Sequence, residues 1–212
     1  MMSLIVGASA SGKSEFAEER ALERYNRLKD SVSSVRGGIK QYAFSGELIY
    51  LATMINSDEE TKERISCHVK RRESMHFNTL EVPYDLGKIA AGLKANSVCL
   101  LECLSNLLAN EMFSDPERKT DYGSMSDKVL EDIRALKRGC HDLIIVSNNV
   151  FEDGIEYDGE TAVYIKYLGE LNRKLGALSD EVYEVVAGIP IKIKERNSRR
   201  PDSPGANRIR WV

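Results

Sequence analysis

Short apolar runs alternate with helix-patterned stretches along the chain. The runs lie near residues 3–7, 47–53, 78–82, 97–103 and 142–147. Helical spacing dominates between them, near 13–29, 58–72, 85–94, 104–113, 124–138 and 161–178. In the last of these, Tyr164, Leu168, Leu171, Leu175 and Leu178 fall on one stripe, which predicts core. Two further runs, near 181–187 and 189–194, are separated by Gly188 and predict a closing antiparallel hairpin. The alternation predicts an α/β fold: a mostly parallel sheet with flanking helices and a C-terminal antiparallel strand. Ser57-Asp58-Glu59-Glu60 reads as a capping box opening the second helix.

Two segments break the rhythm. Asp30 to Gly46, with Ser31, Ser33, Ser34, Gly37 and Gly38, predicts a long loop. Residues 196–212 carry five arginines against one aspartate, with Pro201, Pro204 and Gly205, and read as a basic, flexible tail. The expected organisation is one domain over 1–195 followed by that tail, which suits a chain of 212 residues. A net charge of −3 gives no general attraction to nucleic acid or anionic membrane, and neither is expected as a partner. No apolar run approaches the roughly 18–20 residues of a membrane span. Cys67, Cys99, Cys103 and Cys140 form no C-x-x-C pair, and Cys99 and Cys103 sit in or at the end of an apolar strand, so buried thiols are expected. A cytoplasmic location fits these features.

The chemistry begins directly behind the first run. Gly7-Ala8-Ser9-Ala10-Ser11-Gly12-Lys13-Ser14 spells G-x-x-x-x-G-K-S between a strand and a helix, the context of a phosphate-binding loop. Its glycines let backbone N–H groups curl round phosphates, and the helix start adds partial positive charge. Lys13 would reach the terminal phosphates, and the Ser14 hydroxyl would hold Mg²⁺. The chain is therefore expected to bind a nucleoside triphosphate.

A second constellation lies on the 58–72 helix, whose large apolar residues are almost only Ile65 and Val69. Arg64, His68 and Arg72 recur every four residues, and Arg71 follows His68 by three, so these side chains share a face. Neighbouring cations depress an imidazole pKa from about 6.5 and keep the ring neutral and nucleophilic near pH 7. The arginines could hold phosphate oxygens while the ring attacks phosphorus. A solvated basic face with an incidental histidine is the plainer alternative. Ser97-Val98-Cys99-Leu100-Leu101-Glu102 ends in a carboxylate, as a Walker B strand does near Mg²⁺. Ala52-Thr53-Met54 should lie on the same rim, and Ser147-Asn148-Asn149 either lines a second substrate's pocket or is a plain turn.

Together these residues resemble one family, the bifunctional adenosylcobinamide kinase/adenosylcobinamide-phosphate guanylyltransferases of cobalamin biosynthesis. The resemblance runs through Gly7–Ser14, Tyr50–Met54, Arg64–His68 with Arg72, Phe77–Glu81, Leu100–Leu107, Asn110–Phe113, Val146–Phe151, Leu168–Leu175 and Ala187–Lys192. It implies a RecA-like P-loop fold and assembly as a homotrimer. It implies that His68 takes GMP, with Lys13 and Glu102 also catalytic. It further implies that Gly7–Ser14 (Gly7, Ala8, Ser9, Ala10, Ser11, Gly12, Lys13, Ser14), Ala52, Thr53, Met54, Val69, Lys70, Arg71, Arg72, Glu81 and Glu102 contact the nucleotide, and Ser14 and Glu102 the Mg²⁺. The implied substrates are ATP or GTP, adenosylcobinamide and adenosylcobinamide phosphate. Two departures are a longer loop after the first helix and Asn149 where the family pattern has glutamate. A P-loop small-molecule kinase without guanylyl transfer, and a non-catalytic GTP-binding regulatory module, stay open as alternatives at this level.

Overall fold

A computed structural model of the chain describes residues 1–33, 44–55, 62, 66, 69–113, 121–150 and 157–196. The strands are β1 (Met2–Gly7), β2 (Leu48–Ala52), β3 (Asn78–Glu81), β4 (Val98–Glu102), β5 (Asp142–Asn148), β6 (Glu181–Val186) and β7 (Ile189–Glu195). The helices are α1 (Lys13–Ser33), the single turn α2 (Gly87–Ala90), α3 (Leu104–Phe113), α4 (Tyr122–Gly139) and α5 (Gly159–Leu178). Lys62, Ser66 and residues 69–72 are also helical, and 69–72 lead into a 3₁₀ turn at Glu73–Met75.

The strands form one seven-stranded sheet in the order β3-β2-β4-β5-β1-β6-β7. All neighbours are parallel except the β6–β7 hairpin. Because every crossover must pass over a face, the central strands are buried on both sides and read as continuous apolar runs. Leu101, Leu143 and Ile145 face the layer made by α3, α4 and α5, where Leu107, Leu108, Ile133, Leu168 and Leu171 are fully buried. The opposite side chains, Leu100, Ile144 and Val146, face α1, whose small Ala17 and Ala21 let the helix lie close on the sheet. On β7, Ile189, Ile191 and Ile193 remain exposed.

Three sequence expectations change. The first helix continues to Ser33 rather than ending near residue 29, with the Ser31 hydroxyl donating to the Leu28 carbonyl at 2.7 Å. Residues 34–43 of the predicted loop lie outside the described residues, and the Phe44 ring packs edge-on against Tyr25. The predicted 85–94 helix shrinks to one turn. Gly87 brings the backbone so close to α4 that a Cβ there would sit 2.3 Å from Asp132 Oδ1, and a turn follows at Ala91–Gly92. The α5 stripe is buried at Leu168, Leu171 and Leu175, but Leu178, at the helix end, is 47% exposed. The capping box at 57–60, Arg64, Cys67, His68 and the tail beyond Arg196 lie outside the described residues.

At the foot of the sheet, α1 is tied to three strands by a buried ionic cluster. Arg24 donates from Nη2 to Ser3 Oγ (2.6 Å) and to Glu181 Oε2, and its Nη1 lies 3.9 Å from Asp142 Oδ1. Burial raises both carboxyl pKa values, but Arg24 and Arg20 at Glu181, and the N-terminal ammonium and Arg24 at Asp142, bring each below the ordinary range. Their contribution to stability is therefore present above about pH 4 and lost as the pH falls through the lowered values. Arg24→Met should cost about 3–5 kcal/mol near pH 7, because it strands buried carboxylates. In urea titrations the gap from wild type should narrow below about pH 4, where those groups are protonated.

Candidate active site

The carboxyl ends of β2, β4, β5 and β1 share one rim of the sheet, the place where parallel α/β sheets bind ligands. Between β1 and α1 the phosphate-loop sequence turns tightly, with Gly12 at φ +89° and Ala10 at φ +57°. Gly7 answers a different need. A Cβ there would lie 2.5 Å from Ser11 Oγ and 2.7 Å from the Val185 carbonyl oxygen. The loop is braced on two sides: Gly188 N–H donates to the Ser11 carbonyl at 2.8 Å, and Asn149 N–H donates to the Gly7 carbonyl at 3.0 Å.

Lys13 is buried, and its Nζ donates to the Ala8 carbonyl at 2.9 Å, which lays the ammonium across the loop. In the first turn of α1, Ser14 Oγ donates to Glu102 Oε1 at 2.8 Å. Glu102 closes β4, and its Oε2 is buried without a hydrogen-bond partner among the described residues. Burial lifts this carboxyl to about 7, against the opposing pull of the Ser14 hydroxyl and Lys13. A hydroxyl and a carboxylate with one uncommitted oxygen form a hard-oxygen donor set that fits a magnesium ion.

A cleft of about 680 Å³ opens over these groups. One wall is the loop from Ser9 through Glu15, and the floor includes Ala52, Glu102 and Cys103. The far wall brings in Tyr50, Met54, Thr79 and Glu81 from the β2 and β3 ends, together with Val69, Arg71 and Arg72. Asn106 and Asn148 close the side toward α3, where Asn148 Nδ2 donates to Ser105 Oγ at 2.8 Å. The Arg72 guanidinium stacks 3.4 Å from the centre of the Tyr50 ring, and its Nε and Nη1 are buried without a hydrogen-bond partner among the described residues. Lys13, Arg71 and Arg72 thus give one cleft three cationic side chains, the charge a polyphosphate requires.

Of the residues singled out in the sequence, Ser9 to Ser14, Ala52, Met54, Val69, Arg71, Arg72, Glu81 and Glu102 line this cleft. Gly7 and Ala8 shape the loop from behind, and Lys70 is exposed without lining the cleft. Thr53 has a different place. It is fully buried, its hydroxyl donating to the Cys103 carbonyl (2.9 Å) and accepting from Cys103 N–H (2.8 Å), so it locks the ends of β2 and β4 together. His68 falls outside the described residues, one position before Val69. Cys99, Cys103 and Cys140 are free, buried thiols. Glu18, Tyr50 and Asn106 received no individual role from the sequence. Glu18 could have been noticed as a carboxylate one turn beyond Ser14 on the same face of α1.

Comparison with known proteins agrees with this geometry. Residues 3–193 match the model of the CobU family, cobinamide kinase / cobinamide phosphate guanyltransferase. The bifunctional adenosylcobalamin biosynthesis protein CobU of Escherichia coli is 30% identical over 92% of this chain and 100% of its own length. Its namesake in Salmonella typhimurium is 31% identical over the same shares. The bifunctional adenosylcobalamin biosynthesis protein CobP of Pseudomonas aeruginosa is 28% identical over 92% of this chain and 98% of its own. A phosphate loop, a carboxylate at the end of β4 and a pair of arginines facing them are what a nucleotide-using transferase of this kind needs. The chain belongs to the cobinamide kinase / cobinamide phosphate guanyltransferase family and is a bifunctional transferase.

Proposed function

We propose that this enzyme phosphorylates adenosylcobinamide with ATP or GTP and then transfers GMP from GTP, through His68, to adenosylcobinamide phosphate. The observation that carries the reading is the Ser14–Glu102 contact at the mouth of the phosphate loop, facing Arg71 and Arg72 across one cleft. In the kinase step Lys13 and the loop N–H groups hold the β- and γ-phosphates. Ser14 Oγ and Glu102 Oε1 would hold magnesium, which supplies charge neutralisation across the phosphates. The substrate hydroxyl attacks the γ-phosphorus, its proton passes to Glu102, and the β–γ bridging bond breaks to release the nucleoside diphosphate.

In the second step a ring nitrogen of His68 attacks the α-phosphorus of GTP. The α–β bond breaks, pyrophosphate leaves, and a histidine–GMP phosphoramidate remains. Arg71 and Arg72 balance the charge that develops on the phosphates. A phosphate oxygen of adenosylcobinamide phosphate then displaces the imidazole and gives adenosylcobinamide-GDP. Glu81, on the far wall, contacts the guanine nucleotide. The residue 1–195 unit carries both steps in the cytoplasm, 196–212 being an appended tail, and it works as a homotrimer. Exposed Ile189, Ile191 and Ile193 on an edge strand support assembly, because such an edge favours burial against another chain.

Incubation with α-labelled GTP and Mg²⁺ should leave covalent label that is acid-labile and alkali-stable, and His68→Ala should abolish it. Label that persists in His68→Ala would place the adduct on another residue and overturn the role of His68, and absence of label from the wild type while γ-phosphate still reaches adenosylcobinamide would leave a plain kinase. The Glu102 carboxyl near 7 gives a pH signature. In the metal-free protein, magnesium affinity should rise between about pH 6 and 8 as the carboxyl ionises. Glu102→Gln should remove that rise and lower the kinase rate by about 10²–10⁴-fold.

A further inference from the structure

Glu18 belongs neither to the phosphate loop nor to a strand end, yet it is wholly buried on α1, four residues beyond Ser14. A carboxylate so placed must be paired or lose its charge. Its pairing is specific. Arg71 donates from Nε to Oε2 at 2.7 Å and from Nη2 to Oε1 at 2.8 Å, and Arg72 Nη1 lies 3.7 Å from Oε1. The hydrogen bonds to Glu18 are the main reason that the Arg71 pKa rises above its ordinary value. A side-on fork of this kind sets angle as well as distance. It therefore fixes residues 71 and 72 against the same helix whose first turn carries Ser14. Arg72 Nε and Nη1 are buried without a hydrogen-bond partner among the described residues.

We infer that Glu18 is a positioning residue for guanylyl transfer: it clamps the arginine segment to the phosphate-loop helix and so limits where His68 can go. The inference rests on the histidine–GMP reading above. Chain connectivity carries the rest. His68 precedes Arg71 by three residues, so their Cα atoms are separated by at most about 11 Å, whatever path the chain takes. Anchoring Arg71 at Glu18 thereby bounds how far residue 68 can lie from α1. Without the clamp the arginines and the histidine would have to find the α-phosphate anew in each turnover. The chemistry of the kinase step uses Lys13, Ser14 and Glu102, so at saturating nucleotide its rate does not depend on that segment being held.

The test compares two activities in one full-length molecule. In Glu18→Gln, single-turnover formation of the labelled adduct from α-labelled GTP should slow by about tenfold or more. Transfer of γ-phosphate to adenosylcobinamide at saturating nucleotide should change by no more than about threefold. Glu18→Asp keeps the charge but is too short for the fork, so it should show the same split and serves if the glutamine variant does not fold. Amide hydrogen exchange at residues 69–72 should quicken in both variants. Adduct formation at the wild-type rate in both, or a parallel loss of both activities, would overturn the inference in favour of a plain structural ion pair. A wild-type protein that forms no adduct on His68 overturns the histidine reading itself and this role with it. Faster exchange at 69–72 in the variants would then mark the contact as a fold element only.

Discussion

The hydrogen bond from Ser14 to Glu102 is the contact on which the site is organised. It spans from the first turn of α1 to the end of β4, with β5 lying between β4 and the strand that feeds the phosphate loop. The cleft opens over this contact, lined by the loop and by the β2 and β4 ends. The same contact explains why so acidic a residue is tolerated there. The carboxyl is shielded from water, shares a hydroxyl and feels Lys13, and it remains near the midpoint of its titration at neutral pH. A group so balanced can exchange a proton or a cation at little cost.

Charge placement divides the cleft into two territories. Lys13 and Glu102 lie on the loop side, and Arg71, Arg72 and Tyr50 lie opposite. The arginines are not simply scattered cations. One is engaged by Glu18, and the other is pressed on an aromatic ring, with its Nε and Nη1 lacking a hydrogen-bond partner among the described residues. A family whose members carry out two phosphorus-centred reactions has use for such an arrangement. One set of groups can serve the distal phosphates while another addresses the proximal one.

Much of this was legible in the sequence because it is local. The phosphate loop needs only a strand, glycines and a helix start in succession, and all are contiguous from Met2 to Ser33. The assignments of β1, β2, β4 and β5 held because strands covered on both faces demand uninterrupted apolar runs. What the sequence could not display depends on contacts between distant segments. Thr53 sits inside a motif that looks like substrate contact, yet it serves as a lock between β2 and Cys103, fifty positions away. Glu18 looks like any surface acid of an amphipathic helix until Arg71 is brought beside it. The short α2 was overestimated because the close approach to Asp132 that Gly87 permits is a property of the packed layers.

The strand that leads into the phosphate loop lies between β5 and β6, and the turn at Gly188 props the loop from beneath. Its partners are thus supplied by the last third of the polypeptide. A ribosome making this chain releases the nucleotide-binding motif before the strands that flank it, and the motif is flanked on both sides only after Glu181 to Val186 has emerged. The cradle is encoded early and completed late.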